Sequence, residues 1–546
     1  GEPVPDPYRW LEDGDAPEVR AWTDAQAAYT RARLDLPPYR PALHERLRVL
    51  FGVGVVTPPA VNGGRYFHQQ RTGDEEQPRL FVRDGVQGTD RVLLDPALLT
   101  ADRTSALDWY HPSEDGRLLA WGVSEGGSER STLRVRDVAT GADLGDVIPW
   151  TRACSLSWEP DSGGFFYTRY PEPGTVPEGE ENYHRRVYHH TLGADWREDP
   201  LVFGLGREKE DWPNVQLSPD GRWLLVTVSR GWTRTDVYLR DLSQGEAFRT
   251  VIEGEESLFG AIVRNDALYL HTNRDAPRYR LLCADLFRPS PESWREVIPE
   301  GPAVLQGVIA VRAHLLATWL QDASSRVTVH GLDGALLREI PLPAIGSVAS
   351  LTGAWDGDEA FFGFSSYTVP PAVFRVVPGS GAMERWAAVL GGFDAARFRV
   401  RLVHYPSRDG TRISMFLVDA CDRPADGTGP AVLTGYGGFN VSHTPSFGRS
   451  LLAFLEQGGL YAVAHLRGGG EYGEDWHRAG MLSRKQNVFD DFRAAASHLV
   501  AEKHCAPRRL GILGGSNGGL LVGAALTQAP ELFRAVVCQV PLLDMV

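Results

Sequence analysis

The hexapeptide Gly514-Gly515-Ser516-Asn517-Gly518-Gly519 sets a serine among glycines. The apolar run Leu510-Gly511-Ile512-Leu513 precedes it, and Leu520-Leu521-Val522-Gly523-Ala524-Ala525-Leu526 follows. The pattern predicts strand, tight turn and helix, the nucleophile elbow of an α/β-hydrolase. Such a turn lifts the serine above the sheet, and its glycines permit a strained backbone and close helix–strand contact. The helix N-terminus and the next backbone N–H, that of Asn517, suit a developing oxyanion. A serine placed this way performs acyl transfer once a base takes its proton. In α/β-hydrolase order the acid and the histidine follow the serine. Thirty residues follow Ser516, and none is a histidine. Asp544 ends the strand after the elbow helix with no histidine behind it, so it is no substitute for the missing pair.

Other candidates are weaker. Gly435-Tyr436-Gly437-Gly438-Phe439-Asn440 follows the strand-like Ala431-Val432-Leu433-Thr434 and lies at the carboxyl end of a strand, where open α/β sheets bind ligands. Tyr436 either offers its hydroxyl to an oxyanion or is a packed aromatic in a turn. Gly468-Gly469-Gly470-Glu471-Tyr472-Gly473 matches a dinucleotide fingerprint in form, with Asp490 and Asp491 downstream. The polar stretch Glu474 to Gly480 does not open an apolar helix, so a glycine-rich loop beside a hydrolase site is the better account. His184, His189 and His190 lack the spacing and companion ligands of a zinc site and read as surface histidines. No cofactor and no metal are expected.

Composition narrows the class. With 56 basic and 70 acidic residues the net charge is −14, which argues against nucleic acid or an anionic membrane as partner. No apolar run reaches the roughly 18 residues that span a bilayer. Cys154, Cys283, Cys421, Cys505 and Cys538 are odd in number and widely spaced. They read as isolated core thiols in a reducing cytoplasm, not as a disulfide framework. Gly1 to Asp6 do not read as a signal peptide, and a leader in a longer natural sequence stays open.

The elements that must position the serine fall into three zones. Residues 1–55 are helical in pattern, with helical spacing at Ala16 to Trp22 and Pro41 to Leu47. Residues 56–392 repeat a turn followed by an alternating aromatic–aliphatic strand, with openings at 61, 113, 161, 218, 264, 311 and 357. Second strands recur at Leu133 to Asp137, Val237 to Asp241 and Arg326 to His330. A period of roughly 40–50 residues with several strands per unit predicts a β-propeller, and seven units predict seven blades. A sandwich would not need so regular a period. Residues 393–546 alternate strand and helix. Ala431 to Thr434, Leu460 to His465, Leu510 to Leu513 and Ala535 to Val540 are the strands, and Phe489 to Leu499 is an amphipathic helix. This predicts a parallel α/β domain that lacks its last strands. The open edge of such a sheet predicts a tendency to aggregate.

Assembled, these residues resemble the prolyl oligopeptidase family of serine peptidases over the whole chain. The resemblance rests on Pro5-Asp6-Pro7-Tyr8-Arg9-Trp10-Leu11-Glu12-Asp13, Gly435 to Asn440, Arg467 to Gly473, Lys485-Gln486-Asn487-Val488-Phe489-Asp490-Asp491-Phe492 and Gly514 to Gly519. Asn517 after the serine favours the proline-specific branch over the branch that cleaves after basic residues. The resemblance implies a seven-bladed propeller capping an α/β-hydrolase domain and admitting only short peptides, with the N-terminal helical segment packed on the catalytic domain. It implies that Ser516 is the nucleophile and that the Tyr436 hydroxyl joins the Asn517 N–H in the oxyanion hole. Phe439 and Leu542 would wall a proline pocket, and the acidic loop Pro171 to Glu181 would gate between domains. The family's aspartate, histidine, substrate-binding arginine and pocket tryptophan have no counterpart up to Val546. The chain alone is therefore expected to be inactive, as part of a monomeric endopeptidase that cuts short peptides after proline. A propeller-based peptide-binding pseudoenzyme and a peptide macrocyclase on the same site are the alternatives.

Overall fold

The computed structural model describes residues 5–73, 75–264, 266–389 and 392–544. Asn265 in the fifth opening and the stretch Gly1 to Val4 lie outside the described residues. Two helices come first, α1 (Pro17–Leu34) and α2 (Arg40–Phe51). Seven successive antiparallel sheets follow. They span Val55–Leu94, Ser105–Ile148, Leu156–Phe203, Trp212–Ile252, Phe259–Ile298, Val304–Ile340 and Ser347–Ala388. Each is one propeller blade; the openings are the turns between first and second strands in six of them and between Ala60–Asn62 and Arg65–Arg71 in the five-stranded first blade. Gly63 and Gly64 show why those turns carry glycine: both have positive φ (55° and 74°), which L side chains rarely adopt. The recurring second strands of the sequence are the third strands of their blades. Inner strands such as Trp223–Arg230 are buried over most of their length, because adjacent blades cover both faces.

Each blade is a contiguous piece of chain, so the ring closes through side chains and not through a shared strand. Thr352 Oγ1 donates to the Pro59 carbonyl at 2.8 Å, and the Tyr66 hydroxyl bonds Glu359. Tyr66 also packs edge-on against Phe361, with ring centroids 5.7 Å apart.

The rest of the chain builds a six-stranded sheet. Its strands are β1 (Phe398–Pro406), β2 (Arg412–Ala420), β3 (Ala431–Thr434), β4 (Leu460–Ala464), β5 (Leu510–Gly515) and β6 (Ala535–Gln539). Their spatial order is β1-β2-β4-β3-β5-β6. The sheet is mixed, which corrects the parallel reading. β3, β4, β5 and β6 run parallel, whereas β1 pairs β2 and β2 pairs β4 antiparallel. β2 is buried along nearly its whole length. A continuous apolar run looks the same in either direction, so periodicity could not reveal the hairpin.

Helices α3 (Arg449–Leu455), α4 (Glu474–Arg478), α5 (Gln486–Ala501) and α6 (Asn517–Gln528) complete this domain. The α5 residues Val488, Phe492, Ala495, Ala496 and Leu499 pack on β3, β4 and β5 with Leu521 and Val522 of α6. α2 lies on α3: Leu43, Leu47 and Leu50 meet Leu452 and Leu455, and Arg46 forms a two-point ion pair with Glu456. No helix among the described residues is long and apolar enough to cross a membrane.

Two readings of single residues change. Cys154, Cys283 and Cys505 are buried, but Cys421 and Cys538 are exposed and so are not core thiols. His190 is not a surface histidine: it is 1% exposed at the seam between the second and third blades. Its Nδ1 faces Asp199 at 2.9 Å and its Nε2 faces Asp146 at 3.0 Å, while Tyr167 donates to Asp199 at 2.8 Å. Burial alone would push the imidazole down, but Asp199 and then Asp146 outweigh it, so the pKa is raised. The raised pKa favours the charged imidazole, which cross-links two blades through Asp146 and Asp199.

Removing one member of a buried pair leaves a charge without its partner. His190→Gln should destabilise the propeller by about 3 kcal/mol below neutral pH. A raised histidine contributes fully below its unfolded value of about 6.5, and the contribution fades as pH rises through the folded value. Urea unfolding at several pH values should show the wild-type advantage over His190→Gln shrinking toward alkaline pH. An advantage that is constant or grows would contradict the charged cross-link.

Candidate active site

β5 ends at Gly515, and α6 starts at Asn517, so Ser516 alone makes the turn between them. Its backbone is left-handed, with φ 56° and ψ −120°. A Cβ on Gly514 would overlap the Gly518 carbonyl, one on Gly518 would lie 3.0 Å from the Gly435 oxygen, and one on Gly519 would lie 2.8 Å from Pro541 Cα. The glycines of the motif thus let β5, α6, the 435–438 loop and the chain after β6 converge on one serine. The Ser516 N–H donates to the Gln539 carbonyl at 3.0 Å, which ties the turn to the end of β6. Its side chain does not cap α6. Among the described residues no histidine or carboxylate hydrogen-bonds its hydroxyl.

The loop after β3 is the second part. Asn517 is buried, and its Nδ2 donates to the Tyr436 carbonyl at 2.6 Å. Gly437 has φ 65°, and a Cβ there would overlap Val488 Cγ1. Phe439 and Asn440 are left-handed too, at φ 56° and 58°. Positive φ at Gly437, Phe439 and Asn440, with Gly438 between them, turns the loop sharply, at a cost of about 1–3 kcal/mol for each non-glycine residue. The Tyr436 ring stacks on His443, with centroids 5.8 Å apart and planes 22° apart. The His443 N–H is fixed by Glu471 Oε1 at 2.8 Å. Burial pushes the Glu471 carboxyl up to about 7.

The glycine-rich loop after β4 supports the same region. Asn440 N–H donates to the Gly468 carbonyl at 3.2 Å, and a Cβ on Gly470 would crowd the Asn440 carbonyl. The following α4 is five residues long and polar, so the dinucleotide reading fails on geometry as well as on sequence. Arg467 anchors the loop, bonding Asp491 of α5 and Asp409 of the β1–β2 turn, each at 2.6 Å. Burial opposes this arginine's charge, but Asp491 and then Asp409 outweigh it, so its pKa is raised.

Phe439 is 41% exposed and reaches the propeller: its ring lies 5.9 Å from Trp232, at 62°. Trp232 sits at the tip of the hairpin joining Trp223–Arg230 to Arg234–Asp241. Leu542 is 42% exposed on the segment after β6. Asn517 thus joins its neighbour Ser516 to the Tyr436 loop through the Tyr436 carbonyl, Phe439 borders the propeller, and Leu542 lies exposed on the segment after β6. Sequence reasoning missed Trp232, which meets Phe439; Glu471, which fixes the His443 N–H; and Lys485, whose Nζ donates to the Gly437 carbonyl at 2.8 Å. Lys485 opens the stretch Lys485 to Phe492, but no motif signal marks a role for its side chain. Of the three histidines, His189 pairs with Glu159 and His184 with Glu180. No cluster suited to a metal ion occurs among the described residues.

Comparison with known proteins places this geometry. Residues 1–389 match the model for the prolyl oligopeptidase N-terminal beta-propeller domain, and residues 445–546 match that for the prolyl oligopeptidase family. A prolyl endopeptidase of Elizabethkingia miricola is 32% identical over 548 residues, covering 100% of this chain and 77% of that protein. The chain is similar to a solved structure from a study of two prolyl endopeptidases and the role of inter-domain dynamics in catalysis and specificity. That match has a TM-score of 0.94 at 41% identity and covers 100% of this chain and 80% of that one. Prolyl oligopeptidase B from Galerina marginata, bound to a 35mer hydrolysis and macrocyclization substrate as a serine-to-alanine mutant, matches with a TM-score of 0.93 at 28% identity. It too covers 100% of this chain and 80% of its own.

The loop after β3 has no room for a side chain at Gly437. Gly437→Ala should cost about 2 kcal/mol or more, because the left-handed backbone and the Val488 contact both penalise the methyl group. Chemical denaturation checks this, and an unchanged midpoint would mean the loop is not held as described.

Proposed function

The chain belongs to the prolyl oligopeptidase family, and on that premise we propose that it serves a serine endopeptidase that cuts short peptides on the carboxyl side of proline. The observation that carries the reading is the left-handed Ser516 with Asn517 bound to the Tyr436 carbonyl. Ser516 Oγ attacks the scissile carbonyl. The developing oxyanion is received by the Asn517 N–H and the Tyr436 hydroxyl. The amine product leaves, and water then releases the acyl group from Ser516. Proton transfer requires a histidine oriented by a carboxylate. We place both in the part of the protein beyond the 77% of the relative's length that this chain spans.

Phe439 offers a flat apolar wall suited to a pyrrolidine ring, which has no N–H to satisfy, and Leu542 is the aliphatic wall beside it. The propeller stands over the site and excludes large folded substrates. The acidic segment from Pro171 to Glu181 is our candidate for the gate. A monomer in a reducing cytoplasm suits the five unpaired cysteines. Macrocyclization would use the same acyl-enzyme with an amine in place of water. The peptide-bound relative named for both outcomes keeps that reading alive.

The test is turnover of a fluorogenic Gly-Pro amide by the full-length gene product, beside an Arg amide. Cleavage after proline should fall by about 10^4–10^6 in Ser516→Ala. Phe439→Ala should raise KM about 10-fold while leaving more of kcat. Residues 1–546 alone should show turnover reduced on the scale of a lost triad histidine. Cleavage after arginine only, or silence on both amides, would overturn the reading; silence would favour a peptide-binding role.

A further inference from the structure

Lys485 immediately precedes α5, and its Nζ reaches back to the elbow. It donates to the Gly437 carbonyl at 2.8 Å and to Asn517 Oδ1 at 3.0 Å. Asn517 passes the connection on through Nδ2 to the Tyr436 carbonyl at 2.6 Å. One ammonium thus binds both the loop that carries Tyr436 and the side chain of the residue whose N–H follows Ser516.

The placement is unfavourable for a lysine in its own right. Both acceptors are neutral, and among the described residues no carboxylate lies within ion-pair range of Nζ. The ammonium sits at the start of α5 and contacts the first residue of α6, where helix dipoles present their positive ends. Burial pushes its pKa down to about 8. Packing explains little here, since an apolar side chain would fill a half-buried position without that cost. What the lysine adds is three donors in one small group and a positive charge beside the elbow.

We propose that Lys485 is a positioning residue that clamps the Tyr436 loop to the elbow, keeping the two oxyanion donors in register and adding positive potential where the oxyanion forms. The inference rests on the serine-peptidase reading above. Lys485 touches neither Ser516 nor the substrate in this arrangement. It acts through Asn517 and through the Gly437 peptide, and no proton leaves it during the reaction.

The experiment uses the full-length gene product with Lys485→Met, Lys485→Arg, Asn517→Ala and the double variant Lys485→Met/Asn517→Ala. Two rates are measured: hydrolysis of the Gly-Pro amide, and phosphonylation of Ser516 by a fluorophosphonate followed by mass. Both are normalised to folded protein by thermal melting. Lys485→Met should lower kcat and the labelling rate about 10- to 100-fold, with KM within about threefold of wild type. Lys485→Arg should restore part of the loss. The double variant should be slower than the slower single by less than the product of the two effects, because both act through one contact. An unchanged kcat, a loss confined to KM, or fully multiplicative effects would overturn the clamp. Wild-type protein that labels at Ser516 but ignores the proline amide would refute the substrate reading, and the labelling rates would still decide the role of Lys485. Wild-type protein that does neither would remove both.

Discussion

Ser516 holds a backbone conformation, φ 56° and ψ −120°, that an L residue adopts only when its surroundings impose it. The surroundings are close approaches of backbone to backbone. Gly514 meets the Gly518 carbonyl, Gly518 meets Gly435, and Gly519 meets Pro541. A side chain at any of these positions would push apart the strand, the helix and the loop that meet there. The strain at the serine is therefore held by the sheet order itself: β5 lies between β3 and β6, so the loop after β3 and the chain after β6 flank the elbow on opposite sides. Propeller, glycine-rich loop and lysine clamp matter for chemistry insofar as they maintain that convergence.

The second constraint couples the two domains. The Glu474 N–H donates to the Pro277 carbonyl at 2.7 Å, and Gly473, at φ 91°, lets the backbones approach. Trp232 meets Phe439 a short way off. The glycine-rich loop and the loop after β3 thus each touch both the propeller and the region of the serine. A shift of the propeller would be felt at Phe439 and, through Gly468 and Asn440, in the loop that carries Tyr436.

Much of this was legible in the sequence, and the part that was not has physical reasons. Six of the seven openings could be read because a tight turn favours glycine or aspartate, the one at Val311-Arg312-Ala313-His314 only from the spacing of the others, and the elbow because its glycines answer to backbone geometry. The antiparallel β1–β2 hairpin was hidden because the buried strand Arg412–Ala420 carries no sign of direction. The cross-link at His190 was hidden because its partners, Asp146 and Asp199, stand 44 and 9 residues away in sequence. Lys485 was in plain view within a recognised block, but a lysine is usually a solvated charge. Only the meeting of α5 with the elbow shows that its ammonium is spent on Gly437 and Asn517.

The proposed activity requires Ser516 to be a nucleophile held ready in this turn. The most direct test is covalent: treat the full-length protein with a peptidyl-proline phosphonate, then locate and count the adduct by mass spectrometry. One adduct per chain is expected, on Ser516, formed faster than with the matching peptidyl-arginine reagent. Modification spread over other residues, or none at all in a folded protein, would contradict it.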